Sequence, residues 1–581
     1  MKDFVKYMLA TMAGLITLGF CCFLIFTVML SSFATLLSSD GSTELKKHSV
    51  YVIDMKGELK EQTNDDDFES ALSEAMGRDV SATVSLNDIL RNIRVAKDNS
   101  NIDGIYLRGG SLSGGFASFQ EIRDALLDFK QSGKFIIAYA DDYGQGNYYV
   151  SSVADKMYLN SYGTVAWKGL SSQLMFYHRA LEKLGVEMQV LKVGTFKSAV
   201  EPFILTEMSE ANRLQMNVLL QDMWSVITSG VSESKGISVD KLNEYADMGI
   251  AYMDNKLLVE YGFIDSLVYT QDMKTILEDA VGNDDYHLVN NSEMLSVPEK
   301  EKTSKQKIAV IYAEGDITDD SGEGIVGKKM VKTINKIAKD DDVKAVVMRV
   351  NSPGGSANAS EQIWHALQLL KEKKPLVVSM GDYAASGGYY ISCGADTILA
   401  EENTLTGSIG IFAIVPSFAG LADKLGLDFD GVQTNHFGLL ESNITTKGMN
   451  EQERELLQQS INRGYDLFVS RCAQGRKMTT EQIKEIAEGR VWSGHRALEL
   501  GLVDKFGSTD DAIKVAAGMA GLDKYSIVTY PRAKDRLTTF MDVLTGDKDN
   551  DVKAIKYIRH IETMAKKPSV QTRLPYFITI Q

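Results

Sequence analysis

Asp382-Tyr383-Ala384-Ala385-Ser386-Gly387-Gly388-Tyr389-Tyr390 has a diverged double in the first half of the chain, Asp142-Tyr143-Gly144-Gln145-Gly146-Asn147-Tyr148-Tyr149. Setting Tyr148-Tyr149-Val150-Ser151-Ser152 against Tyr389-Tyr390-Ile391-Ser392-Cys393, an offset of 241, brings Ser386 opposite Gln145. The same offset brings Lys197, in GTFKSAVEPF, opposite Gly438. One half holds a nucleophile candidate without a base, and the other a base candidate without a nucleophile. Together they read as one serine–lysine site shared by two copies of a module.

The order of elements around these strings is also read twice. In the first half Val50–Met55, Gly104–Leu107, Phe135–Ala140 and Met157–Leu159 are short apolar runs. Between them Leu86, Ile89, Leu90 and Ile93, then Phe119, Ile122, Leu126 and Phe129, recur at helical spacing. The second half repeats the pattern with strands at Ile308–Tyr312, Ala345–Val350, Leu376–Ser379 and Thr397–Leu399. Its helices are marked by Val331, Ile334 and Ile337, and by Ile363, Leu367 and Leu370. Continuous apolar strands alternating with amphipathic helices predict an α/β fold, duplicated, with parallel sheet buried on both faces. The expected division is an anchor at 1–40, a first repeat at 45–290, a polar linker at 291–307, a second repeat at 308–530 and a tail at 531–581. In that tail Val552, Ile555, Ile558 and Ile561 have the spacing of one amphipathic helix.

Tyr7 to Ser39 carries no charged residue, and about 20 apolar residues span a bilayer core. An uncleaved transmembrane helix is expected, since a cleavable signal has a shorter apolar region and a small-residue cleavage pattern. Lys2 and Lys6 before it favour a cytoplasmic N-terminus and an extracytoplasmic body in the cell envelope, although Lys46 and Lys47 follow it. The 581 residues are 44% hydrophobic and 24% charged, enough for well-filled cores. A net charge of −16 argues against a nucleic-acid partner. Cys21 and Cys22 lie in the apolar run, and Cys393 and Cys472 have no zinc-site spacing. No histidine falls in an HExxH or comparable ligand pattern, and serine–lysine chemistry needs neither metal nor organic cofactor, so none is expected.

A serine at a strand-to-helix junction presents its hydroxyl where the helix dipole and the following N–H favour an oxyanion. Ser386 fits that place, although a plain N-cap is the alternative. Asn351-Ser352-Pro353-Gly354-Gly355 follows a strand and is a loop that can aim a backbone N–H at a substrate, or merely turn tightly. AASGG departs from the GxSxG elbow, which argues against an α/β-hydrolase triad. A serine needs something to take its proton, and Lys197 lies among small and apolar neighbours rather than in a charged run. Lysine serves as base only when neutral, which burial achieves.

AASGGYY, TLTGSIGIF (Thr404–Phe412), NSPGG and FKSAVEPF together resemble the signal peptide peptidase A (protease IV) family in its long, duplicated, membrane-anchored form. The resemblance runs from about Val50 to Gly521. It implies Clp protease/crotonase-like domains and a serine endopeptidase that degrades cleaved signal peptides. It implies Ser386 as nucleophile, Lys197 as general base, Gly354 and Gly387 as oxyanion amides, and a homo-tetramer. The alternatives are a non-catalytic membrane scaffold and an acyl-CoA-processing enzyme on the same superfold.

Overall fold

The computed structural model describes residues 45–62, 83–299, 304–531 and 571–573, with Lys6 and Gly14 as isolated helical positions. Apart from Gly14 the apolar run Tyr7–Ser39, and the helix expected at Val552–Ile561, lie outside the described residues. Among the described residues no helix is long and apolar enough to cross a membrane.

The first half runs β1 (Ser49–Lys60), α1 (Leu86–Asp98), β2 (Ile102–Ser113), α2 (Phe116–Lys130), β3 (Phe135–Tyr143), α3 (Gln145–Ser151) and β4 (Lys156–Val165). These strands pair in parallel in the order β1-β2-β3-β4. Helices cover both faces, which is why the consecutive residues Ile105, Tyr106 and Leu107, and Ile136, Ile137 and Ala138, are all buried. After β4 come α4 (His178–Leu184), β5 (Glu187–Val193) and the long α5 (Glu210–Lys235).

The second half follows the same plan: β6 (Lys307–Glu314), α6 (Gly327–Ala338), β7 (Val343–Ser352), β8 (Gly354–Ser356), α7 (Ala357–Lys371), β9 (Leu376–Ala385), α8 (Gly387–Ser392) and β10 (Thr397–Ala400). Then come β11 (Ile411–Ser417), α9 (Ala419–Leu425) and α10 (Glu451–Arg476). The offset of the sequence repeat holds element by element: α2 and α7, α4 and α9, and α5 and α10 begin and end at matching residues.

Two findings modify the expected division. First, the halves do not close separately. A third sheet, in the order Ile325–Val326, Ile317–Thr318, β8, β12 (Gln571–Arg573), β11 and β5, joins them and contains antiparallel pairs. Strand β5 leaves its own half and pairs with β11 of the other, from Glu187 opposite Ser417 to Val193 opposite Ile411. Second, part of the expected linker is packed. Asn291–Leu295 is a helix with an Asn290/Glu293 capping box, Met294 is buried, and the Arg91 guanidinium donates to the Met294 and Val297 carbonyls. Met294 and Val297 pack inward while the polar residues of this segment cap the helix or face solvent.

A buried ionic cluster locks the halves in register. Arg349 on β7 donates to Glu61 at 2.9 Å and to Glu121 at 2.5 Å, both from the first half. It also donates to Ser379 Oγ and the Met380 carbonyl on β9, the strand that leads to Ser386. On the same strand Asp382 accepts from the Ser118 N–H and hydroxyl at the start of α2. Burial beside other carboxylates pushes Glu121 up to about 7, against the pull of Arg349.

Candidate active site

Strand β9 runs on to Ala385, so Ser386 sits at the junction with α8. Its φ of 56° and ψ of −115° are strained for a residue with a Cβ. Two bonds hold it there: its N–H donates to the Gly407 carbonyl at 2.8 Å, and its carbonyl accepts from Tyr390 N–H at 2.8 Å. The side chain makes no cap bond to the helix it precedes, so the N-cap alternative fails and the hydroxyl is free for another partner. That partner is Lys197, whose Nζ lies 2.8 Å from Ser386 Oγ. Both side chains are fully buried.

Lys197 reaches this point from the opposite half because β5 docks on β11 and the chain then turns inward. Phe196 N–H donates to the Glu488 carbonyl, fixing the turn. Gln215 of α5 donates to the Phe196 carbonyl and Ser198 Oγ. Two glycines leave room for the lysine stem: a Cβ on Gly489 would lie 2.7 Å from Lys197 Cβ, and one on Gly410 would lie 3.3 Å from its Cδ. Besides Ser386, Nζ contacts the Ser408 carbonyl and Ser408 Oγ, each at 3.0 Å. Burial alone lowers the lysine to about 7, with no charged neighbour contributing. A neutral amine has two N–H bonds and one lone pair. With three oxygens around it, a neutral amine here can donate to the two Ser408 oxygens and accept from the Ser386 hydroxyl.

The glycine loop is brought against the same helix start. A Cβ on Gly388 would come 2.5 Å from the Ser352 carbonyl oxygen, so only glycine permits this contact. Gly354 follows at φ 105°, and its N–H donates to Ser352 Oγ at 3.2 Å. That N–H therefore has a partner already, which an oxyanion would have to displace or share. Gly387 is the first residue of α8, where an N–H has no intrahelical acceptor. Beyond the glycine loop, β8 and β11 stand one strand's width apart. That gap is filled by β12, whose Gln571, Thr572 and Arg573 run antiparallel opposite Ser356, Gly355 and Gly354, with Gln571 also opposite Phe412.

Gly438, the residue matching Lys197, is exposed, and Gln145, matching Ser386, is buried. Sequence reasoning missed Ser408, although it lies inside the TLTGSIGIF string. Its φ of 51°, which turns the carbonyl toward Nζ, has no signal in the residue type. Gly410, Gly489 and Gln215 were equally silent, because their roles depend on chain segments far from them in sequence. Among the described residues no cluster of His, Cys, Asp and Glu is suited to a metal ion, and Cys393 and Cys472 are buried free thiols.

A buried serine hydroxyl beside an amine, in a duplicated α/β fold with a strand-shaped groove, has the make-up of a serine peptidase. The model of peptidase family S49 matches residues 128–283 and 368–523, and the Clp protease model matches residues 301–403. Protease 4 of Haemophilus influenzae is 35% identical over 527 residues, covering 87% of this chain and 83% of that protein. Protease 4 of Salmonella typhi is 37% identical, covering 80% of this chain and 76% of that protein. The chloroplastic serine protease SPPA of Arabidopsis thaliana is 30% identical, covering 86% and 74%. The chain belongs to peptidase family S49 and is a serine peptidase.

Proposed function

We propose that the chain is a membrane-bound endopeptidase with a Ser386–Lys197 dyad, acting on cleaved signal peptides and other apolar peptides in the cell envelope. The observation that carries this reading is the 2.8 Å contact between Ser386 Oγ and the fully buried Nζ of Lys197. Neutral Lys197 takes the Ser386 proton as the oxygen attacks a peptide carbonyl, and the two N–H bonds to Ser408 keep its lone pair on the hydroxyl. The oxyanion accepts from Gly387 N–H and from Gly354 N–H as the latter leaves Ser352, each donor contributing about 3 kcal/mol. Lys197, now an ammonium, protonates the leaving amine. Water, deprotonated by the same amine, then cleaves the acyl-enzyme and returns Ser386 to its hydroxyl form.

The substrate lies as an extended strand between β8 and β11, as the backbone of Gln571–Arg573 does. The apolar run from Tyr7 to Ser39 anchors the protein in the inner membrane with its body outside the cytoplasm, where peptides leave the bilayer. The working form is a homo-tetramer. The test uses full-length protein in mild detergent, an apolar signal-sequence peptide and a fluorophosphonate probe. Loss of both cleavage and labelling in Ser386→Ala and in Lys197→Ala, with melting curves kept, is expected. Cleavage retained by either variant would remove that residue from the dyad.

A further inference from the structure

Arg490 is held by two ring faces and by no carboxylate. Its guanidinium carbon lies 4.1 Å from the centre of the Trp492 ring and 5.0 Å from that of the Phe196 ring. Arg349, Arg471, Arg476 and Arg496 each pair with an acid, but no ion pair among the described residues includes Arg490. Phe196 immediately precedes Lys197, so the stack abuts the turn that delivers the base.

The two rings belong to opposite sides of the dyad. Trp492 lies on the strand Val491–Ser493, which pairs antiparallel with Leu405–Gly407. Its indole N–H donates to the Ile486 carbonyl, and a Cβ on Gly407 would lie 2.8 Å from its ring. The Gly407 carbonyl accepts from Ser386 N–H, so this ring is fixed to the support of the nucleophile. Phe196 belongs to the lysine's turn. The segment leading into the stack bonds to both sides in succession. The Glu488 carbonyl accepts from Phe196 N–H, Gly489 N–H donates to the Ile409 carbonyl, and the Arg490 carbonyl accepts from Ser408 N–H at 2.7 Å. Glu488 at φ 54° and Gly489 at φ 77° are both left-handed, which turns these groups to opposite sides.

An acid in place of the rings would set a negative charge near Lys197 and favour its ammonium form. Aromatic faces grip the planar guanidinium without bringing one. The segments packed on Lys197 carry Glu488, Arg490 and Glu201, whereas Ser386–Gly388, Ser408–Gly410 and Gln215 are neutral. Glu488 is exposed and accepts from Thr195 N–H, and Glu201 accepts from Ser209 and Asn212. Burial is left as the influence on the amine. Lys197 is fully buried while Phe196 and Arg490 are half-buried, so the stack lies at the boundary between the amine and water.

We infer that Arg490 is a positioning residue of the dyad: gripped between Phe196 and Trp492, it clamps the lysine's turn to the Ser408 segment and keeps water from the amine. This role presupposes the Ser386–Lys197 dyad. Without the clamp, water reaches Nζ and the base returns toward the range of an ordinary lysine, so less of it is neutral at pH 7.

The test follows fluorophosphonate labelling and peptide cleavage from pH 6 to pH 10 with full-length protein in mild detergent. The wild-type midpoint near 7 should rise by about one unit or more in Arg490→Met, with kcat about fivefold lower at pH 7, KM unchanged and the loss recovered near pH 9.5. Arg490→Lys keeps the charge but not the plane and should move the midpoint the same way by less, which carries the test if Arg490→Met does not fold. Arg496→Met breaks the neighbouring pair with Asp222 and should leave the midpoint near 7. An unmoved midpoint in the Arg490 variants, a loss equal at every pH, or an equal shift in Arg496→Met would overturn the inference. A wild-type profile with no midpoint near 7, or labelling that survives Lys197→Ala, would remove the dyad and this role with it.

Discussion

Gln145 and Ser386 occupy the same position counted back from Tyr148 and Tyr389, yet the backbone treats them differently. Gln145 is the first residue inside α3, preceded by Gly144 at φ −61°. Its side chain is fully employed, Oε1 accepting from the Lys168 and Gly169 N–H groups and Nε2 donating to the Gly169 carbonyl. Ser386 is turned out of its helix at φ 56° and leaves capping undone. Outside this position the two helices are held alike, Tyr148 donating to the Phe263 carbonyl and Tyr389 to the Leu502 carbonyl. The first-half position is ordinary helix with internal hydrogen bonds. The second-half one holds a strained residue beside a fully buried amine. Strain persists where the surroundings over-determine it, and in this chain that is where the turn after β5 brings Lys197.

The comparison is broken most severely by Ser386→Ala, for which a loss of at least about 10³-fold in kcat with unchanged folding is expected in a peptide-cleavage assay. Adding Gln145→Ser to that variant should restore nothing. A serine there would sit on helical backbone with only Gly438 at the lysine's place. Arg349→Met comes next. It leaves Glu61 and Glu121 buried without their cation, a loss of about 3–5 kcal/mol by denaturant unfolding. Ser408→Ala removes one of the two acceptors that orient the Lys197 amine while leaving the carbonyl. About a tenfold fall in kcat with little change in KM is expected, the worth of one hydrogen bond. Truncation before residue 569 removes β12 from the groove, and KM for an added peptide should fall a few fold with kcat maintained.

Lys197 also gives a signed stability test. Its folded pKa of about 7 lies below the ordinary 10.5, so between these values the unfolded chain binds more protons. From this group, stability rises as pH climbs from 7 toward 10.5. Lys197→Met should therefore raise the melting temperature at pH 7 while abolishing activity, and the gain should shrink toward pH 10.5. A drop at pH 7 would mean that the amine stabilises the fold.

The duplicated fold was legible because apolar periodicity and the 241-residue offset are local patterns that survive divergence. The pairing of Ser386 and Lys197 was legible through complementary gaps in the repeat and through the resemblance of AASGGYY and FKSAVEPF to a known family. The rest depends on contacts between distant segments. Glu187–Val193 reads as any short strand, and nothing in it reveals that its partner is Ile411–Ser417. Gly489 matters because Lys197 passes within touching distance of it, which no local pattern records. The bond between Gly354 N–H and Ser352 Oγ changes a simple amide donor into one that must exchange partners. Asn291–Leu295 was read as linker because its polar residues serve as caps.

The rate at which a fluorophosphonate labels Ser386, followed from pH 5 to pH 9, tests the neutral-amine base most directly. A rate that climbs with a midpoint near 7 in the intact protein, and that falls to background at every pH in Lys197→Ala, is the expected result. A flat profile, or labelling that persists without Lys197, would contradict it.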